Sequence, residues 1–175
     1  MDENSARPIA IVYCTTKGHT ADVAARVATE LGEERCALYL TKEIDADTLA
    51  AHPVVIFGAP TFGMGDLDRR MQRKLKIVDP TLWEGKTVAF FVMGDQVYHG
   101  KTFAGGLEAF AKFFADAAVN TVGLWPDQGY SYEASNSVRE DGHFPGLVID
   151  EINQPELTDE RVRCWVGILR DEIDD

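Results

Sequence analysis

The chain has 175 residues, 45% hydrophobic and 26% charged, the composition expected of one self-sufficient globular domain spanning residues 1–175. Its 17 Lys and Arg stand against 29 Asp and Glu, a formal charge of −12, which argues against nucleic-acid phosphate or anionic lipid as partners and for a basic protein face. No apolar run approaches the roughly 18 residues of a membrane helix, and the start Met1-Asp2-Glu3-Asn4 is acidic, which argues against a spanning helix, a secretory signal or a transit peptide.

Pro8 to Cys14 (PIAIVYC) is a short unbroken apolar run, the pattern of a strand covered on both faces. Val23, Val27 and Leu31 then recur at helical spacing until Gly32 stops them. Cys36 to Leu40 reads as a second strand, Asp45 to Ala51 as a weak helical turn, and Pro53 to Ala59 (PVVIFGA) as a third buried strand. A Gly-rich loop leads to a basic helix from Asp68 to Ile77, whose Arg69, Arg70, Arg73 and Lys74 read as a solvated face. Thr87 to Met93 is a fourth strand, and Phe103, Leu107, Phe110 and Phe114 mark the next helix.

Val119 to Leu124 opens a fifth strand. The following stretch of about thirty residues, Trp125 to Gln154, is too rich in Gly, Tyr and Ser for a helix and too long for a plain loop. Tyr130–Tyr132 and Leu147–Ile149 inside it suggest extra strands or a hairpin. Thr158 is expected to cap a last helix with Asp159 and Glu160 in its first turn. Strands alternating with helices mean a parallel sheet wrapped on both sides. Cys14, Cys36 and Cys164 form no C-x-x-C pair, so they are expected to pack as small buried residues in a reducing compartment, the cytoplasm. The four histidines show no metal-ligand spacing.

Ligands of such sheets sit outside the carboxyl ends of the strands, which selects three loops. Cys14-Thr15-Thr16-Lys17-Gly18-His19-Thr20 runs straight into a helix, offering hydroxyls and free backbone N–H groups to a phosphate. Neither a Walker loop nor G-x-G-x-x-G is present. Pro60-Thr61-Phe62-Gly63-Met64 presents an aromatic at the mouth of a buried strand, and Met93-Gly94-Asp95 followed by Tyr98 and His99 again sets flat side chains beside closely approachable backbone. Together they describe a site for a flat heterocycle with a phosphorylated tail.

Ala59-Pro60-Thr61-Phe62-Gly63, Gly94-Asp95-Gln96, Trp125-Pro126-Asp127-Gln128-Gly129-Tyr130 and the Asp150 to Arg161 segment resemble the long-chain flavodoxins. That resemblance implies a flavodoxin-like three-layer α/β fold with strand order 2-1-3-4-5 and an insertion in the fifth strand. It also implies noncovalent FMN and low-potential one-electron transfer by a monomer. The donor would be a basic-faced NADP-dependent flavodoxin/ferredoxin reductase and the acceptor a low-potential enzyme. Thr15 to Thr20 would hold the phosphate; Pro60 to Met64, Met93 to Asp95, Tyr98 or His99, and Phe103 would surround the ring. Gly63 would let its peptide turn toward the flavin N5 proton. Lys17 stands where the family usually has Thr, Phe62 where it commonly has Trp, and Ile152 where it has Asp. One fixed negative charge about 10 Å from such a ring, at effective ε ~20, opposes an added electron by roughly 1.7 kcal/mol, so Asp66, Asp95 and Asp127 predict a strongly reducing cofactor. The alternative is an FMN-dependent NAD(P)H oxidoreductase of the same fold, which needs a basic cluster near the loops. A phospho-receiver would need acids where Cys14 and Ala59 stand.

Overall fold

Successive side chains of a strand point to opposite faces, and the inner strands here are apolar at both. The computed structural model describes residues 3–174; Met1 and Asp2 of the acidic opening, and Asp175, lie outside them. The order is β1 (Ile9–Tyr13), α1 (His19–Leu31), β2 (Cys36–Leu40), α2 (Ala46–Ala50), β3 (Val54–Ala59), the short pair β4 (Thr61–Phe62) and β5 (Asp66–Leu67), and α3 (Arg69–Ile77). Then come β6 (Thr87–Met93), α4 (Gly105–Phe114), β7 (Asn120–Thr121), the pair β8 (Trp125–Pro126) and β9 (His143–Phe144), β10 (Leu147–Ile149) and α5 (Thr158–Ile173).

The main sheet runs β10-β6-β3-β1-β2, with β7 also on β6 and every pairing parallel. This is the expected 2-1-3-4-5 order. The fifth place is shared: β7 pairs with Thr87 and Val88, β10 with Phe91 to Met93, and residues 122–146 are looped out between them. Gly123 (φ 81) ends the first piece; its N–H donates to Glu172 Oε2 and its carbonyl accepts from Trp165 Nε1. On one face Ile9, Ile11, Ile56 and Phe91 meet Val23 and Val27 of α1 and Val162, Trp165 and Leu169 of α5. On the other, Val12, Phe57, Phe90 and Val92 meet Met71 and Leu75 of α3 and Leu107, Phe110 and Phe114 of α4. Phe90 lies 4.8 Å from Phe110 with planes 9° apart.

Four readings change. Phe103 precedes α4, because Ala104 adopts φ 57 and the helix opens only at Gly105. Tyr130–Tyr132 forms no strand; the hairpin is β8 with β9, and Tyr130 serves instead as a strut, its OH donating to Val148 O and accepting from Trp125 Nε1. Thr158 is the first residue of α5 rather than its cap, with its hydroxyl buried and making no hydrogen bond. Cys164 is exposed, whereas Cys14 and Cys36 are buried.

Among the described residues no helix is long and apolar enough to cross a membrane. Burial pushes the Cys14 thiol up to about 12 and that of Cys36 to about 11, so neither supplies thiolate near neutrality. Native protein treated with an alkylating reagent at pH 8 should be modified at Cys164 alone by mass spectrometry, with Cys14 and Cys36 reacting after denaturation. Alkylated Cys14 in the folded protein would contradict this.

Candidate functional site

Three loops leave the carboxyl ends of β1, β3 and β6, the strands at the centre of the sheet. The first closes on itself: Thr15 Oγ1 accepts from Gly18 N–H at 3.0 Å. Gly18 (φ 92) is the N-cap of α1 and supplies no capping side chain, a conformation that strains any residue with a Cβ. The first helical bond runs from Asp22 N–H to Gly18 O, so the N–H groups of His19, Thr20 and Ala21 point out of the helix end. Positive potential therefore collects where Thr15, Thr16 and Lys17 curve around it.

The second loop is a narrow ribbon, Thr61 paired with Leu67 and Phe62 with Asp66. Thr61 Oγ1 donates to Met93 O and so ties it to the end of β6. The ribbon turns at Gly63 (φ 55) and Gly65 (φ 92). At its tip Phe62 is 43% exposed, and the Arg69 guanidinium lies 5.5 Å from its ring centroid.

The third loop hangs on carboxylates. Gly94 N–H donates to Ile149 O, and Asp95 Oδ1 accepts from Val97 N–H, Tyr98 N–H and Asn153 Nδ2. Burial pushes the Asp95 carboxyl up, but these donors outweigh it and hold it below the usual carboxylate range, so it is charged at neutral pH. Behind it the wholly buried Asp150 accepts from Gln96 N–H, Asn153 N–H and Asn153 Nδ2. Tyr98 is 84% exposed and His99 half-buried. Their rings meet at 4.9 Å with planes 83° apart, so only one of the two can lie parallel to a given flat ligand in this arrangement.

Between the loops is a cleft of ≈ 400 Å³. Thr15, Thr16, Lys17, His19 and Thr20 line it from the first loop, Pro60, Thr61, Phe62 and Gly63 from the second, and Met93, Gly94, Asp95, Tyr98 and His99 from the third. Gly18 shapes the turn without lining it. Two expected site residues fall outside. Met64 is 76% exposed and borders a neighbouring depression with Val97 and Lys101. Phe103 is fully buried under Gly94, stacked on Tyr132 at 4.7 Å, and supports the floor from below.

Residues outside the expected set take part. Ile152 lines the cleft while 66% exposed; in the sequence it stood out as the residue standing where the resembling family has Asp. The buried Asp68 caps α3 by accepting Arg70 N–H at 2.8 Å, and takes Arg70 Nε and Nη2 at 3.0 and 2.8 Å. Arg70 Nη1 then reaches Thr15 O at 3.1 Å and Nη2 reaches Thr16 Oγ1 at 3.2 Å. Arg69 and Arg70 therefore do not form a merely solvated face.

The fold and the cleft define a doubly wound α/β protein with its ligand site at the strand ends, joining an anion-accepting turn to two ring-bearing loops. The family model for flavodoxin matches residues 11–165, and the chain belongs to the flavodoxin family. Flavodoxin 1 of Azotobacter vinelandii is 38% identical over 169 residues, covering 94% of this chain and 97% of that protein. The flavodoxin of Picosynechococcus sp. is 34% identical over 163 residues, covering 93% and 95%. Of solved structures, that of Fusobacterium nucleatum flavodoxin bound to flavin mononucleotide superposes with a TM-score of 0.84 at 27% identity, covering 94% of this chain and 97% of that one.

Proposed function

We propose that this chain binds FMN noncovalently in the cleft and carries single electrons at low potential between redox proteins. The convergence of the uncapped α1 terminus with Phe62 and the Tyr98–His99 pair on one cleft carries this reading. The donor set suits a phosphate: the helix-end N–H groups, the Thr15 and Thr16 hydroxyls and the Lys17 ammonium surround one end of the cleft. Phe62 and one of Tyr98 and His99 would flank the ring, with offset stacking worth about 0.5–1.5 kcal/mol beyond burial. Pro60, Thr61, Met93 and Gly94 frame it with backbone and small contacts. When bound, FMN supplies the redox chemistry; the protein orients it and sets its field.

Asp95, held charged beside the cleft, and the overall charge of −12 disfavour adding negative charge there. Gly63, already at positive φ and with nothing closer to its Cβ position than Asp66 Oδ2 at 3.5 Å, can re-orient its peptide at little steric cost. The exposed Tyr98 and Phe62 leave the cleft mouth open to another protein. An acidic carrier suits a basic-faced donor, an NADP-dependent reductase, and a low-potential acceptor enzyme. We read it as a single-domain cytoplasmic monomer, and the looped-out residues 122–146 favour the long-chain group.

The carrier is favoured over an NAD(P)H oxidoreductase by the state of the nearby cations, since Arg70 is engaged by Asp68 and the first loop. Purified protein should show a flavin absorption spectrum, and the apoprotein should quench FMN fluorescence stoichiometrically. NADPH alone should leave that spectrum unbleached. Colourless protein that quenches nothing would overturn the FMN reading, and rapid bleaching by NADPH would replace the carrier with the enzyme.

A further inference from the structure

Five of the nine residues of α3 are basic, yet only Arg70 crosses to the first loop. Its guanidinium is a planar fork of five donors that cannot accept. The buried Asp68 fixes one edge of that fork through Nε and Nη2, and two of the other three hydrogens reach Thr15 O and Thr16 Oγ1. Each contact has a consequence for an anion. A carbonyl repels phosphate, and engaging Thr15 O keeps it turned toward α3. A hydroxyl both donates and accepts, and an N–H aimed at a Thr16 Oγ1 lone pair leaves the hydroxyl hydrogen free to point into the turn. Asp68 itself stays ionised: burial pushes its carboxyl up, but the bonds from Arg70 hold it below the usual range.

We propose that Arg70, oriented by buried Asp68, is a positioning residue that presets the first loop for a phosphate dianion and so makes the site prefer FMN to riboflavin. This rests on the FMN reading. A plain attractive charge would act through distance alone; here the planar geometry of the fork is required, which separates arginine from lysine.

The test measures FMN and riboflavin affinity by fluorescence quenching in apoprotein of the parent, Arg70→Gln, Arg70→Lys and Asp68→Asn. Asparagine caps a helix as well as aspartate does, so Asp68→Asn releases the guanidinium while keeping α3 capped. All three variants should bind FMN about tenfold more weakly, with riboflavin affinity unchanged. Combining Arg70→Gln with Asp68→Asn should add little, because both remove one unit; that double variant also leaves no buried carboxylate unpaired. Parent-like FMN affinity in Arg70→Gln would overturn the proposal, as would parent-like affinity in Arg70→Lys, which would reduce the residue to a charge. Equal losses for FMN and riboflavin would overturn it too, by showing general damage. A parent that quenched neither flavin would instead remove the FMN reading and the proposal with it.

Discussion

Asp150→Ala should lower the free energy of unfolding by about 3 kcal/mol and should weaken flavin binding in the same step. Asp150 is wholly buried at the end of β10, and its carboxylate accepts from Gln96 N–H and from both the backbone and the side-chain amide of Asn153. Hydrogen bonds contribute about 0.5–1.5 kcal/mol each, and a buried donor left without a partner costs about 1–3 kcal/mol. Asn153 also donates to Asp95, so the third loop loses its inner anchor and its outer one together. Urea titration followed by tryptophan fluorescence reads the first effect and FMN quenching the second. Asp150→Asn keeps the shape and one acceptor, and should fall between parent and alanine. A parent-like midpoint for Asp150→Ala would mean that the loop is held elsewhere.

Gly65→Ala should cost about 2–5 kcal/mol, from backbone strain of roughly 1–2 and overpacking of roughly 1–3. Gly65 sits at φ 92, and an added Cβ would lie 2.3 Å from Thr102 O, a backbone atom with no rotamer to move. The contact has a counterpart in Gly105, the first residue of α4, where a Cβ would lie 2.3 Å from Gly65 O. Two glycines back to back thus seat the second loop against α4, and displacing either lifts Phe62 and Gly63 from the cleft. The variant should lose both thermal stability and FMN affinity. Gly85→Ala, at φ 75 on the far end of the sheet with open space around it, bears strain alone and should lose stability only. If both variants retain parent affinity, the seating contact does not set the position of the loop.

Four strands of the main sheet were legible in the sequence almost to the residue. Parallel strands buried on both faces need unbroken apolar runs, and Ile9–Tyr13, Val54–Ala59 and Thr87–Met93 are such runs, while the edge strand Cys36–Leu40 is apolar although only partly buried. The three loops were legible for a related reason: each pairs a glycine with hydroxyls or rings at a strand end. What escaped depends on contacts distant in the chain. Phe103 continues the spacing of Leu107, Phe110 and Phe114, yet Ala104 turns left-handed before α4 because the helix start must pass close to Gly65. Arg70 could not be told from Arg69, Arg73 or Lys74 by spacing. Only the rotation of α3, fixed by burying Met71 and Leu75, aims it at Thr15. Ile152 entered the cleft because Asp150 and Asn153 bend that segment back toward Asp95.

The divided fifth strand has an effect beyond the cleft. Backbone groups at a sheet margin invite another chain to add itself, and the invitation strengthens with the length of straight, unpaired backbone. On this margin β7 offers two residues and β10 three, separated by the excursion through residues 122–146. Neither fragment is long enough to lock an incoming strand in register, so that side of the molecule is poorly suited to templating fibrillar growth even when the protein is crowded.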